Sequence, residues 1–277
     1  MPNIDQFESV FRAAAKDRFK EAGADILRVC LVESTEADAQ RLERTARNYL
    51  AGLPTHAQIR WTHFDTSANG LAALLLHVQN EQPDLLCCFR RSSADADWVP
   101  GLGDCVEMLT QATDAPVLLL PHHSAANHRD KPKTVMAVTD HLSGDDSLVS
   151  FAARVLPADA RLILAHVEDD SVFERYMAAI GKIAHIDTSR ARESIRARLI
   201  KDATDYISSC ITALEARGHR VASQVLWGHH VEVYQELVRK HDVDLIIMNT
   251  KDDDQLAMHG LAYPLAIEFN QTPLLFI

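Results

Sequence analysis

The chain has 277 residues, of which 47% are hydrophobic and 24% charged, with a formal net charge of −11 at pH 7. That length suits one large domain or two small ones with a sizeable core. The acidic balance excludes a general affinity for nucleic acid or an anionic membrane, both of which require a basic face. No apolar run approaches the length of a membrane span, and the charged, amphipathic start MPNIDQFESVFRAAAKDRF has no signal-peptide core. The five cysteines form no CxxC pair, so buried, reduced thiols and a cytoplasmic location are expected.

Along the chain, residues 5–21 read as a helix with no strand ahead of it. ILRVCLV (26–32) reads as a strand, residues 36–51 as a helix and QIRWTHF (58–64) as a second strand. GLAALLLHVQNEQPDLLCCF (70–89) gives a helix and then a strand, and GDCVEMLTQATDAPVLLL (103–120) gives another such pair. A polar stretch with two prolines, PHHSAANHRDKPK (121–133), marks a boundary. Beyond it, TVMAVT (134–139) is a short β-rich run, SLVSFAARVL (147–156) has helical spacing and RLILAHV (161–167) is a strand. SVFERYMAAIGKIAHI (171–186) is an additional helical excursion. A long helical pattern then runs from Arg190 to Arg217, with Gly218 as its stop. RVASQVLW (220–227) is a strand, VEVYQELVRKH (231–241) a helix and DLIIMNT (244–250) a strand. LAYPLAIEFN (261–270) is helical, with Pro264 confined to its first turn, and PLLFI (273–277) closes the chain as a strand.

Strands alternating with helices imply right-handed crossovers and a parallel sheet, and runs such as LILA and LIIM suit strands covered on both faces. The two halves also repeat each other. ILRVCLV matches RLILAHV, residues 70–89 match 230–249, and residues 103–120 match 260–277, with Gly103 and Pro116 spaced as Gly260 and Pro273 are. Such a repeat indicates duplication. The expected units are residues 1–121, a linker at 122–133 and residues 134–277. Nothing in the first copy matches TVMAVTD.

With Asp140 at a strand end, HVEDD at 166–170, the unit VEVYQELVRKHDVDLIIMNT and the closing stretch from Gly260 to Pro273, the second half resembles the universal stress protein family. The whole chain resembles a tandem member. The resemblance implies an α/β fold of two doubly wound parallel-sheet domains of the adenine nucleotide alpha hydrolase type, the first degenerate. It also implies association through the last strands, either as a homodimer or by pairing of the two domains within one chain.

In this fold ligands lie beyond the carboxyl ends of the strands. Nucleotide-binding members carry two glycines three positions apart after the fourth strand, then nine residues, then a glycine followed by Ser or Thr. Glycines let backbone N–H groups approach phosphate, beside a helix start that favours negative charge. Here Asn249 and Asp252 replace the first two glycines. Gly260 keeps the third after only seven residues, and Leu261 replaces the hydroxyl residue. In the first half Phe89, Arg90, Arg91 and Ser92 occupy that stretch, and Gly103 survives, followed by Asp104. The candidate ligand cleft of the second half comprises Thr139, Asp140, Val167, Asn249, Thr250, Lys251 and Gly260.

Asp140, Asp145, Asp146, Glu168, Asp169, Asp170 and Asp252 to Asp254 make this mouth acidic, and carboxylates repel a polyphosphate. Lys251 offers one phosphate contact or is solvated beside its aspartates. Arg90 and Arg91 read either as an anion site or as a surface pair. The histidines at 122, 123, 128, 229 and 230 lack the spacing of a recognised metal site, so no metal ligands are assigned. Serines beside histidines, Ser124 and Ser143, lack a G-x-S-x-G elbow, so no catalytic residues are assigned either.

The expectation is therefore a cytoplasmic, non-catalytic stress-response or interaction protein that does not bind ATP in the usual way and needs no cofactor. Its partners would be other proteins or itself, not nucleic acid or membrane. The alternative is a module for a small ligand or nucleotide, ATP included, in the cleft around Asp140 and Gly260. A weak nucleotide hydrolase is the third class.

Overall fold

The strands of the second half are almost uninterrupted apolar runs, which places them in the middle of a sheet with helices on both faces. The computed structural model describes residues 18–23, 25–53, 58–90, 101–121, 131–139, 145–182, 188–250 and 260–277. In chain order the elements of the first half are β1 (Arg28–Glu33), α1 (Glu36–Tyr49), β2 (Arg60–Asp65), α2 (Thr66–Glu81), β3 (Leu85–Phe89), α3 (Asp104–Ala112) and β4 (Val117–Leu120). The second half contributes β5 (Thr134–Val138), α4 (Asp146–Val155), β6 (Arg161–Asp169), α5 (Asp170–Ile180), α6 (Thr188–Glu215) and β7 (Arg220–Gly228). It ends with α7 (His230–His241), β8 (Leu245–Met248), α8 (Ala262–Glu268) and β9 (Leu274–Phe276).

These strands form one nine-stranded sheet in the order β2-β1-β3-β4-β9-β8-β5-β6-β7. Neighbours run parallel except at β4 and β9, which are antiparallel. The two parallel sheets expected from the sequence are thus joined edge to edge. The offset that carries Gly103 to Gly260 also carries Leu118 to Leu275, and these two leucines face each other across the seam. An approximate two-fold axis therefore passes through that pair.

One strand lacks a counterpart. In the second half β5 lies between β6 and β8, whereas in the first half β1 pairs directly with β3. The same side chains serve both arrangements. Ahead of β3, Asp84 accepts the N–H groups of Leu27 and Arg28 at 3.0 and 2.8 Å. Ahead of β8, Asp244 accepts those of Lys133 and Thr134 at 2.7 and 3.0 Å. The aspartate clamps the start of whichever strand is its neighbour. Arg28 and Arg161, at matching strand starts, each donate to the carbonyl of the last residue of a helix, Glu81 and His241. Both of these helices end on a non-glycine residue in left-handed conformation, Gln82 (φ 44°) and Asp242 (φ 51°), whose N–H closes on a carbonyl of the last turn.

Helices cover both faces. One face buries Leu42, Ala46 and Tyr49 of α1, Leu148 and Val149 of α4 and Tyr206 and Leu214 of α6, while the other buries Leu74, Leu109, Tyr234 and Leu265 from α2, α3, α7 and α8. Both apolar layers run through residues of the two halves. The α5 excursion packs separately, with Phe173 edge-on to Trp227 at 4.9 Å between ring centroids.

The segment read as a helix over residues 5–21 is not helical where it is described, from residue 18 on. Its backbone N–H groups turn to the second half instead. Phe19 donates to Ser209 Oγ (2.8 Å) and Ala22 to Ser150 Oγ (2.9 Å), and Glu21 pairs with Arg217. Tertiary hydrogen bonds here outcompete the local spacing. Residues 5–17, and residues 122–130 with the linker histidines, lie outside the described residues.

Candidate functional site

In the second half the chain moves from β5 to β6 and β7 on one side, then returns through α7 to β8 on the other. The crevice of such a sheet opens where the direction reverses, at the carboxyl ends of β5 and β8. Five of the residues expected there can be placed; Asp140 and Lys251 lie outside the described residues.

Thr139 ends β5 with its N–H and hydroxyl both on the Ala165 carbonyl, at 2.8 and 3.2 Å. Its own carbonyl accepts Nδ1–H of His166 at 2.9 Å, and Nε2 of that ring lies 2.9 Å from Glu168. Val167 is buried, and its carbonyl accepts from His230 Nε2 at 2.8 Å. Asn249 reaches across the crevice: its Nδ2 donates to Asp145 Oδ1 at 2.6 Å, and Asp145 is buried. Thr250 turns the other way, with its N–H and hydroxyl on the carbonyl of Ile277. Gly260 has open space where a Cβ would project. The structure therefore brings Thr139 and Val167 together along the β5–β6 edge, puts Asn249 in a bridge and turns Thr250 to the β9 side.

Among the described residues, Asp145, Asp146, Glu168 and Asp169 of this mouth have internal partners. Asp146 accepts the buried Tyr206 hydroxyl at 2.9 Å, and Asp169 caps α5 through the N–H groups of Ser171 and Val172. Burial opposes the charge on Asp169, but the Val172 N–H and the neighbouring His230 outweigh it and hold the carboxyl below its ordinary range. Among the described residues no group of three or more His, Cys, Asp or Glu is arranged to hold a metal ion.

At the switch point of the first half, Glu33 is 3% exposed, and its Oε1 accepts the Phe89 N–H at 3.0 Å. Burial pushes this carboxyl up to about 7, against the Phe89 N–H, with the charge of Asp38 adding to the rise. Phe89 and Asn249 hold the same position in the repeat, where the phosphate-binding pattern has its first glycine. In each half, then, the residue at that position donates a hydrogen bond to a carboxylate of the chain itself.

Arg90 follows Phe89, and neither sequence alternative describes it. It is 6% exposed, and its Nη2 donates to the carbonyl of Ala266 in α8 at 2.6 Å. It is a buried tie between the halves, not a surface cation. Arg91 lies outside the described residues.

The five thiols are free. Burial raises all of them, Cys30 to about 11 and Cys105 and Cys210 to about 12, with Cys87 and Cys88 also well above the ordinary value. Such thiols carry little thiolate at neutral pH and are weak nucleophiles. No helix among the described residues is long and apolar enough to cross a membrane.

Residues 131–260 match the model of the universal stress protein family. The second half of the chain is a universal stress protein domain. The fold extends the likeness to the first half. A protein of unknown function from Pseudomonas aeruginosa PAO1 is 14% identical, with 91% of this chain and 92% of the other covered and a TM-score of 0.50. A universal stress protein from Archaeoglobus fulgidus is 11% identical, with 90% and 87% covered and a TM-score of 0.50. No curated protein matches the sequence.

Within the universal stress protein fold, Glu33 and His166 are the residues at these strand ends that the expected cleft leaves out. The repeat carried the signal for Glu33, because the match of ILRVCLV with RLILAHV sets it opposite Glu168 at a strand end. The Asn249–Asp145 bond joins residues more than 100 positions apart, and nothing local in the sequence announces it.

Proposed function

We propose that this universal stress protein is a non-catalytic, cytoplasmic stress-response or interaction protein that does not take ATP in the manner of the family's nucleotide binders. The observation that carries this reading is the pair of bonds from Asn249 to Asp145 and from Phe89 to Glu33. A phosphate at a strand end is held by backbone N–H groups that flexible glycines let it approach. Here those positions carry side chains. At one of them the backbone N–H of Phe89 already donates to Glu33, at the other the side-chain amide of Asn249 is bonded to Asp145, and a carboxylate beside a polyphosphate is repulsive.

The buried thiols support a non-catalytic role, because none is poised as a nucleophile. Partners on this reading are other proteins, bound by a rigid nine-stranded platform, and no cofactor is required. Native mass spectrometry of the purified chain tests the reading. The expected mass is that of polypeptide without nucleotide. A retained adenine nucleotide would instead favour the small-ligand module around Asp140 and Gly260.

A further inference from the structure

The approximate two-fold axis through Leu118 and Leu275 makes a comparison possible that a single domain does not allow. Arg90 and Thr250 are mates under this axis. Arg90 N–H bonds the Leu120 carbonyl at 2.6 Å, and Thr250 N–H bonds that of Ile277 at 2.9 Å. On the Arg90 side, the guanidinium fills the space beside the last turns of α8 and donates to Ala266. On the Thr250 side a short hydroxyl stands in its place, and beside it lies a cavity of about 150 Å³ lined in part by Thr110, Thr113, Asp114, Thr250, Phe276 and Ile277.

The polar groups of this lining are one-sided, and Ala115 and Val117 add apolar surface beside them. The hydroxyl of Thr110 donates to Val106, that of Thr113 to Leu109 and that of Thr250 to Ile277. With their hydrogens so engaged, the hydroxyls can act toward a ligand only as acceptors. Asp114 adds a carboxylate, and the C-terminal end of α3 adds the negative end of a helix dipole. A ligand matched to such a wall is a cation with several donors and no acceptor, and guanidinium is that group. Phe276 contributes to the apolar part of the lining.

We propose that this seam cavity is a binding site for a small guanidinium-bearing ligand, which would occupy the place that Arg90 fills in the other half. The inference goes beyond the proposed function and does not depend on the nucleotide cleft. The test is a titration of the full chain with methylguanidine at constant ionic strength, followed by the amide and methyl resonances of Thr110, Thr113 and Thr250. Saturable shifts confined to these residues are expected, and tetramethylammonium, which has no N–H donor, should produce none. Asp114→Asn should weaken binding about tenfold, the loss of one charge-assisted hydrogen bond. Thr250→Arg should abolish it by supplying the guanidinium from within, with circular dichroism reporting that the variant folds. Asp114 is exposed, so its variant serves if Thr250→Arg does not fold. Acetyl-arginine amide distinguishes the source: failure to saturate assigns a free small molecule, and saturation admits an arginine side chain of another chain. Shifts that rise linearly with methylguanidine, or binding unchanged in Asp114→Asn, would overturn the proposal.

Discussion

Glu33 is a carboxyl at a strand end, taken out of water by the sheet and left with one backbone donor. Its folded value, about 7, lies above the ordinary 4.5. Between those two pH values the native chain keeps a proton that the unfolded chain has released, so this residue makes stability fall as pH rises from about 4.5 to 7. Above 7 the loss is complete, and below 4.5 it is absent. Glu33→Gln keeps an oxygen for the Phe89 N–H and removes the titration. The variant should therefore gain on the wild type progressively across that window, by about 2–3 kcal/mol at pH 8. Urea denaturation at pH 4.5 and pH 8 checks this; a difference independent of pH would contradict it. At this scale the sequence is informative about what a position has lost and silent about what it has found. Asn249 is visible as a missing glycine, but its carboxylate partner is set by the return of the chain to β8. Arg90 is visible as a charge, and only the seam makes it a buried one.

The elements themselves are largely legible, because their apolar spacing is decided by the same burial that forms them. The strands of the second half, the long α6 with Gly218 at φ 87° beyond its end and the Pro264 turn of α8 all lie where the pattern places them. Residues 18–21 do not follow their pattern, because the N–H groups of Phe19 and of the adjoining Ala22 donate to Ser209 and Ser150 of the other half. The caps of α2 and α7 are a feature that periodicity does not reveal. Left-handed conformation is costly for a residue with a Cβ, and the cost here falls on a glutamine and an aspartate rather than on glycine. Gln82→Gly should relieve it and raise stability by about 0.5–1 kcal/mol. A drop in the denaturation midpoint would show that the Gln82 side chain contributes more than its backbone strain removes.

The whole molecule is one sheet, and this is the level least visible in the sequence. VLLL of β4 and LLF of β9 look alike, and an edge of that composition pairs equally well with a second chain or with its own repeat. The loss of a strand from the first half shortens its sheet without breaking it, since β1 closes onto β3 and Asp84 clamps the new neighbour. Packing between the halves is close. Gly52, in the turn after α1, lies so near the end of α4 that a Cβ would stand 2.3 Å from the Leu156 carbonyl oxygen and 2.4 Å from that of Val155. Both contacts are backbone and cannot rotate away. Gly52→Ala should therefore destabilise the protein by about 3 kcal/mol, overpacking at the junction of its halves. A thermal midpoint unchanged from wild type would contradict it.

The two carboxyl groups bonded to Phe89 and Asn249 at the switch points are the centre of the functional reading, and their proposed consequence is an equilibrium that can be measured directly. Isothermal titration of the full chain with ATP and Mg²⁺ at neutral pH should give no saturable heat up to about 1 mM nucleotide, a standard free energy weaker than about −4 kcal/mol. Saturable binding at micromolar concentration would contradict it, and would mean that the bond between Asn249 and Asp145 opens to admit the phosphates.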